Sequence, residues 1–91
     1  MSTIELQLYG RRYCHLCDDM AAALAALPSA GREFSVRFVD VDEDPVLEER
    51  YGADIPVLAH GDSELCRHRL DAAAVREYLV RIGDRGMKPG T

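Results

Sequence analysis

Residues 4–17 read Ile4-Glu5-Leu6-Gln7-Leu8-Tyr9-Gly10-Arg11-Arg12-Tyr13-Cys14-His15-Leu16-Cys17. Ile4, Leu6 and Leu8 alternate with Glu5 and Gln7, and a period of two places the three apolar side chains on one face of a strand over residues 4–9. Gly10 breaks the strand. From about Cys14 to Leu27 the spacing changes to three and four: Leu16, Met20, Ala23, Leu24 and Leu27 share one face, and the alanines between them favour a helix. Pro28, Ser29, Ala30 and Gly31 end it. The strand thus hands over directly to a helix at a Cys-x-x-Cys pair.

Downstream, Phe34-Ser35-Val36-Arg37-Phe38-Val39-Asp40-Val41 is rich in β-branched and aromatic residues and reads as a second strand. Asp44 is placed to cap a second helix, with Pro45 in its first turn, Val46, Leu47 and Tyr51 as its apolar contacts and Gly52 as its stop. Ile55-Pro56-Val57-Leu58-Ala59 is a third strand with a proline at its start. Gly61-Asp62 is a turn leading to a fourth strand over about Glu64 to Arg69, and so short a gap implies an antiparallel hairpin. Asp71 caps a final helix whose stripe is Ala74, Val75, Tyr78, Leu79 and Ile82, with Gly83 as its stop. The order is βαβαββα: a parallel right-handed βαβ unit, then a hairpin and a covering helix, so that helices cover both faces of a four-stranded mixed sheet. One domain over residues 1–83 and a frayed tail over 84–91 are expected.

The chain has 91 residues, room for one domain, with 47 % apolar and 30 % charged residues, an ordinary globular balance. Its formal net charge of −5, from 11 basic and 16 acidic side chains, offers no footprint for a phosphate backbone or an anionic membrane face. Neither nucleic acid nor a membrane is expected as partner. The N-terminus lacks a basic region followed by an apolar one, so the expected compartment is the reducing cytoplasm. There, three cysteines, an odd number, argue against a structural disulfide framework.

The placement of Cys14 and Cys17 suits thiol–disulfide chemistry. Three residues is about one helical turn, so both sulfurs can face the same way. The unsatisfied N–H groups and dipole of a first helical turn stabilise a thiolate at Cys14, the species that attacks a disulfide, while Cys17 lies one turn further in as the resolving thiol. Arg11, Arg12 and a protonated His15 favour the thiolate and can attract an anionic thiol; Asp18 and Asp19 oppose it. The bland alternative is two ordinary buried cysteines.

These residues resemble the thioredoxin and glutaredoxin superfamily. Tyr9 to Cys17 is similar to the glutaredoxin opening, in which a tyrosine, a basic residue and Cys-x-x-Cys follow the first strand, and Ile55-Pro56-Val57 resembles the family's cis-proline segment. The resemblance covers about residues 4–82 and is nearest to small glutaredoxin-like proteins, largely bacterial, with a Cys-His-Leu-Cys centre. It implies a thioredoxin-like fold and a thiol–disulfide oxidoreductase with Cys14 and Cys17 as catalytic residues. It further implies a cis Pro56 facing the cysteines, substrate pairing along Ile55, and Arg11 as a contact for a glutathione carboxylate. Tyr9, Tyr13 and Tyr51 are further candidates to line a substrate groove, with anchoring of the core as the alternative. No tightly bound cofactor is expected; glutathione is a candidate co-substrate, protein or low-molecular-weight disulfides are the expected partners, and the chain is expected to be a monomer.

Other readings compete. A redox-sensing adaptor would present the same groove to one partner with little turnover. A zinc site could recruit His60 and His68, or two chains could share an iron–sulfur cluster on Cys14 and Cys17. Cys66, alternating with His68 and Leu70, reads as a small core residue or as a third exchanging thiol. The acidic run Asp40, Asp42, Glu43, Asp44 lacks the glycine and closing glutamate of a calcium loop.

Overall fold

The computed structural model describes residues 4–27 and 34–86, with side chains to residue 82. Strand β1 spans Ile4–Gly10, helix α1 His15–Ala26, strand β2 Phe34–Asp40, helix α2 Pro45–Tyr51, strand β3 Val57–His60, strand β4 Ser63–Arg67 and helix α3 Ala72–Gly86. The expected order is therefore observed. A short 3₁₀ turn, Val41–Glu43, stands between β2 and α2, where the Asp40 carboxylate accepts from the Asp42 N–H.

The sheet order is β2-β1-β3-β4. β1 runs parallel to β2, pairing Leu6 with Val36 and Leu8 with Phe38, and antiparallel to β3, pairing Leu8 with Leu58 and Tyr9 with Val57. The alternation in β1 sorts the core into two layers. Ile4, Leu6 and Leu8 meet Leu58, Met20 and Leu24 of α1 and Val75 and Leu79 of α3 on one face. Val41, Tyr51 and Val57, with Tyr9, Leu47 and Ile55, pack together on the other, under α2. Helices thus cover both faces, in keeping with the apolar pattern of the strands.

The caps also fall as read. The Asp44 carboxylate accepts from the Val46 N–H at 2.9 Å, and Asp71 accepts from the Ala74 N–H at 3.0 Å. Asp71→Ala is expected to cost about 1 kcal/mol through loss of this cap, with Asp71→Asn nearly neutral, in a urea melt of the two variants.

Several details differ from expectation: Gly10 does not break β1 but is its last residue, paired with Asp40, β2 ends at Asp40 rather than Val41, and β4 ends at Arg67 rather than Arg69. β3 begins at Val57 rather than Ile55, because Pro56 has no N–H to give the ladder. The hairpin carries a bulge: Leu58 pairs with Cys66 but Ala59 with Glu64, so Leu65 is the extra residue and both Leu65 and Cys66 reach the core. Finally, α3 does not stop at Gly83 but continues through Gly86. An interior glycine costs a helix about 1 kcal/mol relative to alanine but keeps its N–H and C=O for the ladder, so it need not end one. The rest of the expected tail, 87–91, lies outside the described residues.

Candidate active site

β1 ends at Gly10 and the chain turns through Arg11, Arg12 and Tyr13 to Cys14, the N-cap of α1. The Cys14 Sγ accepts the backbone N–H of Cys17 at 3.1 Å. The sulfur thus takes the place of the oxygen of a capping serine or aspartate, at the positive end of a twelve-residue helix. Cys14 and Cys17 are joined as a disulfide with their Cα atoms 5.2 Å apart. Their environments differ: Cys17 is buried at 2 % exposure, whereas Cys14 is partly exposed.

Gly10 explains how Cys17 comes so close to β1. A Cβ built on Gly10 would lie 2.7 Å from the Cys17 Sγ and 3.1 Å from the Phe38 ring. Only the absence of a side chain lets the sulfur and the ring share that space.

Arg11 lies not in the open groove but against α2. Its Nε donates to both carboxylate oxygens of Asp42, at 3.1 and 3.2 Å, its Nη1 to the Gly52 carbonyl at 3.3 Å and its Nη2 to Glu48 at 3.2 Å. Arg12 stands 3.9 Å from Asp40. Tyr13 adopts a left-handed φ of 59° and its side chain is fully exposed beside Cys14. That conformation costs a non-glycine residue roughly 1 kcal/mol. Leu16, between the two cysteines, is half-exposed.

The register Tyr9–Val57 puts Ile55 and Pro56 at the same end of the sheet as Gly10 and Cys14. The Ile55–Pro56 bond is cis, as the resemblance implied. Pro56 is buried, and its carbonyl accepts from the His68 N–H at 2.7 Å, so the β4–α3 loop is tied to the proline segment. A groove of about 330 Å³ runs between α1 and this loop, lined by Leu16, Asp19, Met20 and Ala23 on one side and by Arg69 and Leu70 among others on the opposite one.

The remaining candidates lie elsewhere. Tyr9 stacks on Tyr51, ring centroids 4.3 Å apart, and anchors α2 to the sheet; burial raises the Tyr9 pKa. His60 is hydrogen-bonded to the Tyr78 hydroxyl on α3, while His68 faces Asp54. Among the described residues, no three His, Cys, Asp or Glu side chains converge where a metal ion would fit. Cys66 packs against the core, as its bland reading had it, and burial pushes its thiol pKa up, the Asp71 N–H only partly offsetting this. In the oxidised protein iodoacetamide is accordingly expected to label Cys66 severalfold more slowly than an unfolded cysteine at pH 8, and faster as the pH rises, which mass spectrometry reads directly.

What sequence reasoning did not reach were the partners of Arg11, the ring of Phe38 beside Cys17, and the bond from His68 to Pro56. None has a local signal; each joins residues distant in the chain.

The family model described as Glutaredoxin-like domain (DUF836) matches residues 5–80. No curated protein matches the chain. Among solved structures, protein Ne2328 from Nitrosomonas europaea is 32 % identical, with a TM-score of 0.73 over 86 % of this chain and 93 % of its own. Protein XcR50 from X. campestris is 36 % identical, with a TM-score of 0.64 over 84 % and 96 % of the two chains. Thioredoxin 1 from Thermosipho africanus, at 15 % identity, shares the fold, with a TM-score of 0.61 over 92 % and 99 %.

Proposed function

The chain belongs to the glutaredoxin-like domain family, and from that membership and the geometry of the cysteine pair we propose that it is a thiol–disulfide oxidoreductase. The observation that carries this reading is the contrast within the pair. Cys14 is partly exposed and its sulfur accepts a helix N-terminal N–H, while Cys17 is buried one turn behind it. Attack needs a stabilised, accessible thiolate, and resolution needs a second thiol that only the first can reach.

In the reduced protein the Cys14 thiolate attacks one sulfur of a substrate disulfide. A Cys14–substrate disulfide forms and the first substrate thiolate leaves. Cys17 then attacks the Cys14 sulfur, its proton passing to the second departing thiolate. The substrate disulfide gains two electrons, and the protein is left with the Cys14–Cys17 disulfide. Two thiols of an external reductant, glutathione or the dithiol of a reductase, reverse the protein's oxidation. Protein or low-molecular-weight disulfides are the proposed substrates. Tyr13 and Ile55 form the contact surface beside the sulfurs, with the Ile55 backbone pairing a substrate strand before Pro56. The chain acts as a monomer in the reducing cytoplasm, holding no tightly bound cofactor. Among the described residues no helix is long and apolar enough to cross a membrane.

A redox titration tests the proposal. The protein is equilibrated at stepped ratios of reduced to oxidised glutathione, quenched with acid, alkylated and weighed intact. Cys14 and Cys17 are expected to oxidise together, with a midpoint between about −270 and −180 mV, the span of known thiol oxidoreductases. A pair that stays reduced throughout, or is masked until a chelator is added, would overturn it.

A further inference from the structure

Of the two arginines that precede Cys14, Arg11 is held by the protein's own carboxylates, while Arg12 stays largely exposed. Arg11 holds Asp42 through two hydrogen bonds and Glu48 through one, and its remaining amino group donates to the Gly52 carbonyl. Arg12 sits 3.9 Å from Asp40. The partners are not incidental neighbours: Asp42 and Glu48 come from the 3₁₀ turn and from α2, two elements that converge on one guanidinium. A carboxylate arriving at Arg11 would find three of its five N–H groups already bonded and would stand beside two negative charges. Asp18 and Asp19, exposed on α1 immediately after the pair, add to the same sign.

We propose that Asp42 and Glu48 are specificity-determining residues that occupy the guanidinium of Arg11 and so select against carboxylate-bearing thiols and disulfides, leaving neutral and cationic disulfides as the preferred substrates. The inference rests on the dithiol reading above. Arg11 then ties the loop before Cys14 to α2 and so holds the sulfur's approach, instead of receiving the substrate. Glutathione, which carries two carboxylates and one ammonium, falls on the disfavoured side, which leaves the dithiol of a reductase as the favoured of the two proposed reductants. A basic polypeptide segment bearing a disulfide falls on the favoured one.

The test uses three small disulfides of different charge: dicationic cystamine, neutral hydroxyethyl disulfide and dianionic glutathione disulfide. The rate at which each oxidises the reduced protein is followed by quenched alkylation and mass. Each rate is divided by that of the same disulfide with dithiothreitol, which removes its intrinsic reactivity. The normalised order expected is cystamine, then hydroxyethyl disulfide, then glutathione disulfide. In the double variant Asp42→Asn with Glu48→Gln, the ratio of the glutathione to the neutral rate is expected to rise about tenfold, two charges having been removed near the point of approach. In the wild-type protein, 1 M salt shortens the screening length to about 3 Å and should raise the same ratio without any substitution. If the double variant does not fold, the single variants Asp42→Asn and Glu48→Gln, each keeping a neutral acceptor for Arg11, carry the test, and each is expected to raise the ratio by a smaller factor. A wild-type glutathione rate equal to or above the neutral one overturns the inference, as does a ratio that the substitutions leave unchanged, whatever salt does to it. Should none of the three disulfides oxidise the pair faster than it oxidises dithiothreitol after allowance for thiolate content, the oxidoreductase reading itself falls, and the selectivity claim with it.

Discussion

Replacing Cys14 by serine is expected to lower disulfide-exchange activity by at least about a thousandfold while leaving the fold in place. The reason for the loss is chemical. A serine hydroxyl keeps its proton at neutral pH and is a poor nucleophile toward sulfur, so no mixed disulfide forms. The reason for the retained fold lies in the cap. The Cys14 sulfur accepts the Cys17 N–H, and a serine oxygen fills an N-cap better than a sulfur does. The melting temperature of the variant should therefore match that of the reduced wild-type protein. The companion variant separates the roles of the two thiols. With Cys17→Ser the first step survives and the second is lost, so a stable adduct on Cys14 should accumulate and appear in an intact mass. Adducts from many disulfide proteins would mark an enzyme of broad reach, and one recurrent adduct an adaptor with a dedicated partner. Activity that persists in Cys14→Ser would remove this residue from the role of nucleophile.

Gly10→Ala is expected to destabilise the oxidised protein by about 1–3 kcal/mol, the usual cost of forcing atoms into a filled core. For a domain of this size each kcal/mol corresponds to a fall of roughly 4–8 °C in Tm. The added methyl would meet the Cys17 Sγ at 2.7 Å, the Phe38 ring at 3.1 Å and the Cys17 Cβ at 3.2 Å. Phe38 is half-exposed on the edge strand and can swing outward; the sulfur cannot while it is bonded to Cys14. In the reduced protein the bond to Cys14 no longer fixes the sulfur, so the cost there is expected to be smaller. The substitution should consequently favour the dithiol, making the reduction potential less negative by about 30 mV for each 1.4 kcal/mol of difference between the two forms. Melts of both redox forms together with the redox titration check this. An unchanged Tm in the oxidised protein would show that the neighbours yield more easily than their packing indicates. The larger Gly10→Val should amplify both effects.

The two predictions draw on different parts of what could be read in advance. Cys14, Cys17 and the helix they open stand in one continuous stretch, and their relation is a matter of three residues of spacing. The same holds for the caps at Asp44 and Asp71, each a contact two or three residues long. The cis bond before Pro56 was an implication of resemblance, since proline alone permits either isomer. Gly83 has the look of a stop without being one, because a glycine near a helix end resembles a stop whether or not the helix continues. In the sequence Gly10 reads only as a strand breaker; its closeness to Cys17 depends on how β2 and α1 pack against β1.

The amino-acid sequence by itself determined the order of elements, the two faces of β1 and the placing of the cysteine pair at a helix start. These follow from side-chain period and from hydrogen bonds within a turn, interactions whose partners are neighbours in the chain. Tertiary structure alone decided which charges meet Arg11, which sulfur is buried and which ring lies beside it. Arg11 reaches Asp42 across 31 residues and Glu48 across 37, and several carboxylates of the acidic run were equally available to it in composition. The choice was made by the crossover from β2 to α2, which brings the 3₁₀ turn and the helix to the end of β1 where the loop to Cys14 begins. A guanidinium binds whatever carboxylate the fold delivers to it, and no local pattern records that delivery.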